Sequence, residues 1–239
     1  MTQLDYLHDT FLFESNATFI NTQTHPDKGL AVILNRTIFY PQGGGQPADK
    51  GTIASESGAI FKVHDVRLDA DGLVWHFGEL ETGELVANES VSLKIDQDWR
   101  VQNAKNHSAG HLLDCAVEQM QLQQLTPTKG FHFPEGAYVE YDGTLDNGAE
   151  LLPQLQATLN QILEKDPAVV VQSLSYEEAQ TQGIVAPAGK SARIVHFEGF
   201  AACGCGGTHM PSAKAIGGIR LRKIKSKKGK TKISYEVLD

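Results

Sequence analysis

Asn106-His107-Ser108-Ala109-Gly110-His111-Leu112-Leu113 is the stretch around which the rest of the chain is read. On an α-helix, residues four apart share one face, with Cβ atoms about 5–6 Å apart. His107 and His111 therefore aim two imidazoles at one point, which is half of a tetrahedral metal site. Much later in the chain, Cys203-Gly204-Cys205-Gly206-Gly207-Thr208-His209 offers the complement, the Cys205 thiolate and the His209 imidazole. Each half is weak alone, because histidine pairs at helical spacing are often just partly buried side chains. Gly206 and Gly207 strengthen the reading, since they let the backbone turn tightly and approach a ligand closely. Together the halves predict that His107, His111, Cys205 and His209 converge on one Zn2+. Zinc proteases place a glutamate general base in H-E-x-x-H. Ser108 stands at that second position here, so this motif does not offer that chemistry.

The surrounding pattern sets the histidines on a helix over 101–123. Ala104, His107, His111, Leu112, Ala116 and Met120 fall near one stripe, and polar residues fall mostly elsewhere. Asp96 or Asp98 is placed to cap it, and Pro127 to end it. Everything before Asp96 reads as strands and turns. Phe11-Leu12-Phe13, 17–20, the apolar run 30–34, the partly alternating 60–68, 73–77 and 91–95 are the candidate strands. Asp69-Ala70-Asp71-Gly72 is a turn signal between two of them. After the first helix, 129–133 and 137–141 read as paired strands. Leu152, Leu155, Leu159 and Ile162 mark a helix over 151–165, with Pro153 tolerable in its first turn. A strand follows at 169–174. Ser175 and Glu178 form a capping-box signature for a short helix. The run 192–197 is a strand leading into the Cys/His turn. A hairpin closes the chain, 219–225 against 230–237, around Lys228-Gly229. The expected fold class is α+β, with a β-barrel-like or sandwich-like domain over 1–96 and a mixed layer over 97–239, helices on one face.

Pro41-Gln42-Gly43-Gly44-Gly45-Gln46-Pro47 interrupts the strand region. A flexible turn is the plain reading. Ordering three consecutive glycines costs entropy, which is easier to understand if backbone N–H groups there meet a ligand. No helical pattern follows, so it is not a phosphate loop of the kind that opens a helix.

The 239 residues suffice for one large or two modest domains. With 41% hydrophobic and 21% charged residues the chain reads as globular. No stretch approaches the ~20 apolar residues of a membrane helix, and the acidic first residues do not read as a signal peptide. Three cysteines, an odd number, argue against a disulfide framework and for a reducing, cytoplasmic setting, with Cys115 in the apolar part of the first helix as core. A net charge of −8 is unlike a nucleic-acid binder, yet nine Lys/Arg and no acid lie between Lys214 and Lys232. Local clusters, not net charge, make phosphate contacts. Lys223, Lys225, Lys227 and Lys228 are therefore candidate RNA contacts, although a solvated hairpin would look the same.

Taken together, His107-Ser-Ala-Gly-His111-Leu-Leu and Cys205-Gly-Gly-Thr-His209 resemble the editing domain of alanyl-tRNA synthetases and their free-standing relatives, the AlaX editing proteins. Thr37-Ile-Phe-Tyr-Pro-Gln-Gly-Gly-Gly-Gln-Pro-Ala-Asp49 resembles the glycine-rich motif of the longer AlaX type. The resemblance runs from about Phe11 to the C-terminus, and nothing resembles the synthetase's aminoacylation domain. It implies a β-barrel-like N-terminal domain and an α/β two-layer editing domain. It also implies zinc-dependent hydrolysis of the ester joining serine, and for the longer type glycine, to the 3′ end of tRNA(Ala). Thr37, Gly43, Gly44, Gly45 and Gln46 are the substrate-contact candidates on this basis. Cys203 could substitute for a ligand, but it departs from the family pattern, and Cys205 is preferred because C-x-x-x-H is the spacing that matches. No general base is identified; His132 and Lys129 are neighbours to consider. A zinc-stabilised RNA-binding module without catalysis and a metal hydrolase of small esters are the rival readings.

Overall fold

The computed structural model describes residues 1–181 and 192–238. Two units emerge, one made of 1–43 and 47–102, the other of 44–46 and 103–239. In the first unit, β1 (Gln3–Leu4) pairs in parallel with β4 (Arg36–Thr37). The remaining strands are β2 (Glu14–His25), β3 (Gly29–Leu34), β5 (Gly51–Ser55), β6 (Ile60–Leu68), β7 (Val74–Thr82) and β8 (Ser90–Ile95). They close into an antiparallel barrel in the order β2-β3-β7-β6-β5-β8. Closure removes the unpaired edges that an open sheet would present. Strict alternation on β8 puts Val91, Leu93 and Ile95 inward and Ser90, Ser92 and Lys94 outward. On β6 the alternation slips between Val63 and Val66 because the register against β7 shifts between Val63 and Asp65.

The expected strand at Phe11–Phe13 is absent: those residues are irregular, with Phe13 packed against the barrel core and its carbonyl accepting Ile95 N–H. β5 had no sequence signal, being short and bounded by polar residues. The expected turn at Asp69 is present, its carboxylate accepting the N–H groups of Asp71 and Leu73.

α1 (Gln97–Gln119) begins in the first unit and continues into the second. It starts before Val101 because Asp96 caps it, Oδ1 accepting Trp99 N–H at 3.0 Å. The first turn is anchored by Arg100, fully buried in the barrel unit, whose guanidinium meets the Asp49 carboxylate and the carbonyls of Thr10 and Ile38. That anchorage puts the division between units after Gln102, whereas the sequence reading put it at Asp96. The helix ends at Gln119, and the chain turns away at Gln121, which takes a left-handed φ of 54°. Pro127 therefore does not end the helix. It lies in β9 (Thr126–Phe131), an edge strand, where a missing N–H is tolerated.

In the second unit, β9 pairs with β10 (Tyr138–Asp142), as expected from 129–133 and 137–141. α2 spans Gly148–Lys165 and buries Leu155, Leu159 and Ile162. It begins earlier than expected, so Pro153 lies in its second turn. β11 (Val169–Leu174), α3 (Tyr176–Thr181), β12 (Ala192–Phe197) and β13 (Cys203–Gly204) follow, with β11-β12-β13 forming a small sheet. The capping box forms as read: Ser175 N–H donates to Glu178, and Glu178 N–H donates to Ser175 Oγ. A short α4 (Ala213–Ile216) leads into the hairpin of β14 (Gly218–Lys227) and β15 (Lys230–Leu238). Lys228 and Gly229 both have positive φ, 54° and 78°, as a two-residue type I′ turn requires. The main sheet runs β14-β15-β10-β9. α1 and α2 share one core with it, in which Leu112, Leu113, Leu155, Leu159, Tyr141 and Ile233 are among the residues fully buried. The architecture is α+β with an N-terminal barrel.

Candidate metal centre

α1 brings the imidazoles of His107 and His111 into a near-parallel stack, 5.1 Å between ring centroids. The segment after β13 brings the other two donors. Cys205 Sγ lies 3.2 Å from His107 Nε2 and 3.6 Å from His209 Nε2. One ligand atom from each of His107, His111, Cys205 and His209 falls within 4.8 Å of the others. A tetrahedral ion with bonds of 2.0–2.3 Å holds its donors about 3.3–3.6 Å apart, so small side-chain rotations close this set. Three nitrogens and one sulfur, without a carboxylate, suit a borderline-soft ion and exclude calcium or magnesium. The four residues could thus hold a metal ion.

The two segments are locked together by side chains within the motifs and by Arg193 outside them. Ser108, fully buried, accepts Met210 N–H at 2.9 Å, joining the histidine helix to the residue after His209. Arg193 on β12 donates to the carbonyls of Cys205 (2.7 Å) and Gly207 (3.2 Å), fixing the turn. Thr208 N–H donates to Gln46 Oε1 and Gln46 Nε2 donates to Thr208 Oγ1, a reciprocal buried pair. Gly207 has no room for a side chain: a Cβ there would sit 2.3 Å from His107 Cε1. Gly110 is equally constrained, since a Cβ would meet His132 Cε1 at 2.4 Å.

His132 is a fourth imidazole in this corner, its ring centroid 4.5 Å from that of His107. Tyr235 Oη donates to Asn106 O at 2.8 Å, so His132 Nδ1–H donates to Tyr235 Oη at 2.6 Å. Lys129 is an exposed residue of β9. Burial, then the neighbouring imidazoles, hold His107 well below the ordinary histidine range. Burial lowers His111 to about 4 and His132 to about 3, and it holds His209 far down too. All four rings are therefore neutral, the form that ligates metals. Burial raises the Cys205 thiol, with Gly207 N–H and Arg193 opposing it. Metal capture there would release its proton.

A cavity of about 460 Å³ runs along α1 past the cluster, with His111, Asp114, Cys115, Tyr141, Val195 and Cys203 among its walls. It is within the size range of small-molecule sites. Burial pushes the Asp114 carboxyl up to about 7, although Tyr141 Oη donates to it at 2.6 Å. Cys115 is buried in the core, as expected, and its thiol is pushed far up.

The other candidate residues separate. Gly44, Gly45 and Gln46 belong to the unit that carries the cluster, and Gly45 O accepts His132 N–H at 2.8 Å. Gly43 and Thr37 belong to the barrel unit. Thr37 is fully buried there. His76 Nδ1–H donates to Val32 O, so Thr37 Oγ1 donates to His76 Nε2 at 2.7 Å, and it accepts Phe39 N–H at 3.0 Å. Lys223, Lys225, Lys227 and Lys228 are exposed on the edge strand β14 and its turn. Lys230 and Lys232 are instead paired with Glu140. Among the described residues, no helix is long and apolar enough to cross a membrane. Sequence reasoning missed the roles of Ser108, Arg193, Thr208 and Tyr235. Ser108 and Thr208 at least sit inside the motifs; Arg193 and Tyr235 act across long sequence separations and carry no local signal.

Comparison with known proteins finds relatives along almost the whole chain. Residues 8–99 match the family model "tRNA synthetases class II (A)", and 192–233 match "Threonyl and Alanyl tRNA synthetase second additional domain". The chain is 31% identical to the alanyl-tRNA editing protein AlaX-L of Pyrococcus horikoshii, over 98% of its own length and 58% of that protein. It is 31% identical to the alanine–tRNA ligase of Kineococcus radiotolerans over 78% of its length and 21% of the ligase. For the ligase of Methylococcus capsulatus the figures are 30%, 83% and 23%. The chain thus spans little more than half of the first relative and under a quarter of the two ligases. With three motifs in order, both family models matched and relatives across nearly its whole length, the chain belongs to the alanyl-tRNA synthetase editing-domain family, which includes the AlaX proteins.

Proposed function

We propose that this chain is an aminoacyl-tRNA deacylase that releases serine, and glycine, wrongly attached to tRNA(Ala), with Zn2+ held by His107, His111, Cys205 and His209. The observation that carries the reading is the meeting of those four donors, from two distant segments, beside a cavity open along α1. The need for such an enzyme is physical. A synthetase pocket made for alanine cannot strongly exclude smaller glycine, or serine with one added hydroxyl. A second site that hydrogen-bonds the serine hydroxyl gains selectivity, because alanine would leave its polar group unpaired at about 1–3 kcal/mol.

Hydrolysis adds water to the ester carbonyl carbon, breaks its bond to the ribose oxygen and returns a proton to that oxygen. Bound zinc would supply Lewis acidity beside the cavity or position the aminoacyl group. The chain's own residues bind and orient. The cavity, walled by Val195, Tyr141 and the Asp114 carboxyl, is where the reading seats the aminoacylated end of the tRNA. Gln46 and Thr208 fix the glycine-rich segment to the residue preceding His209. Lys223, Lys225, Lys227 and Lys228 hold backbone phosphates. Thr37 has its hydroxyl hydrogen committed to His76 and Gln46 has both ends of its amide committed to Thr208, so the backbone of Gly44 and Gly45 offers the stronger substrate-contact candidates of that motif.

The test is incubation of the zinc-loaded chain with tRNA(Ala) charged with serine, glycine or alanine. Release of serine and of glycine, with alanine left on its tRNA, is the expected result. Tight binding without release would make the chain an RNA-binding module, and activity confined to small esters would remove the tRNA.

A further inference from the structure

The sulfur of Cys203 lies 3.5 Å from His111 Nδ1 and 3.6 Å from the carbonyl oxygen of Val195. A carbonyl oxygen only accepts, so the S–H points at Val195 and the sulfur lone pairs face the ring. The His111 nitrogen on that side therefore carries the hydrogen, and the lone pair sits on Nε2. We propose that Cys203 is a positioning residue of the metal centre: it is not a ligand, but it fixes the tautomer and ring plane that present His111 Nε2 to the ion. This rests on the metal site proposed above.

Three features support the assignment. First, the sulfur is placed by the sheet and needs no metal to hold it. Cys203 is the register partner of Val195 on β12, and Cys205 N–H donates to Arg193 O at 3.0 Å, so the backbone on both sides is pinned. Second, Cys205 Sγ contacts the nitrogens of His107 and His209, whereas the Cys203 contacts are to His111 Nδ1 and Val195. The two sulfurs thus occupy different places around the cluster. Third, metal-bound imidazoles generally donate their other nitrogen to a partner that orients them. His107 Nδ1 has no such partner among the described residues. His111 has one, and it is Cys203.

The experiment uses the full chain as wild type, Cys203→Ala, Cys203→Ser and Cys205→Ser. Zinc and cobalt affinities are read by competition with a chromophoric chelator, and the near-ultraviolet sulfur-to-cobalt band is read at saturation. Cys203→Ala should weaken both metals about 10–100-fold while the band keeps its wild-type intensity. Cys203→Ser should recover part of the affinity, since a hydroxyl accepts from the ring and donates to Val195. Cys205→Ser should lose the band. Circular dichroism and melting of the metal-free variants show whether each folds, and Cys203→Ser carries the test if Cys203→Ala does not. Affinities for both Cys203 variants within about threefold of wild type would overturn the proposal. So would a weakened band in either, which would make Cys203 itself a ligand. A purely structural role would lower the melting temperature of the metal-free chain and leave metal affinity unchanged, which also overturns it. A wild type that takes up cobalt without a sulfur band would instead sink the metal centre, and this assignment with it.

Discussion

Gly206 and Gly207 are adjacent, and neither adopts a positive φ, yet the structure gives them opposite tolerances. At Gly207 an added methyl would stand 2.3 Å from His107 Cε1, 2.6 Å from Nδ1 and 2.8 Å from Nε2. Carbon atoms settle about 3.5–4.0 Å apart, so the imidazole must retreat by roughly 1 Å. Metal–donor distances hold within about 0.2 Å. A displaced His107 therefore leaves a three-donor site, and Gly207→Ala should weaken zinc binding by at least about tenfold, or ~1.4 kcal/mol. At Gly206 the same methyl meets nothing within 4 Å. Gly206→Ala should bind zinc as wild type does, and be neutral or more stable by up to about 1 kcal/mol through the unfolded chain. The assay is chelator competition on both variants, with urea unfolding of the metal-free proteins to separate overpacking, about 1–3 kcal/mol, from loss of a ligand. Wild-type affinity in Gly207→Ala, or equal losses in both variants, would refute the placement of His107 against this turn.

Asp49→Ala leaves the fully buried Arg100 guanidinium without its carboxylate, so urea unfolding should show a loss of about 3–5 kcal/mol; a loss below about 1 kcal/mol would contradict the burial. Asp114 has a raised folded-state pKa of about 7. Between that value and its ordinary range near 4, the folded state keeps a proton that the unfolded state has lost, so this group makes stability fall as pH rises. The ceiling is about 4 kcal/mol, and cavity water reduces the expected loss from pH 5 to 7.5 to about 1–2 kcal/mol. Asp114→Asn keeps an acceptor for Tyr141 and should remove that slope; parallel stability curves for variant and wild type would refute it. Replacing Lys223, Lys225, Lys227 and Lys228 together by Ala should raise the apparent KM for charged tRNA and lower the salt slope by up to about one unit per lost phosphate contact. An unchanged slope would leave those lysines as guards of an exposed strand edge.

Much of this was legible because it is local. The i, i+4 histidines, the Cys-x-x-x-His turn, the Ser175–Glu178 capping box and the Lys228-Gly229 turn each depend on residues within a few positions of one another. What failed to show depends on partners far away in sequence. The first turn of α1 is anchored because Arg100 reaches Asp49 and Ile38, which no helical periodicity reveals. The register shift on β6 obscures its alternation. Phe11 and Phe13 carry strand-like side chains but find no ladder. In the candidate site, donor residues announce themselves by type and spacing. Ser108 and Tyr235 do not, since a serine and a tyrosine are ordinary until their partners, Met210 and His132, are known.

The bond between Ser108 and Met210 bears on how the centre would respond to its ion. That clasp, with Arg193 gripping the glycine turn, gathers the donors through polypeptide alone. The entropy of assembling the ring is then spent when the chain folds, not when a cation arrives. Stripping the ion should therefore leave a shaped and refillable nest, unlike a zinc finger, whose backbone collapses once its metal is withdrawn.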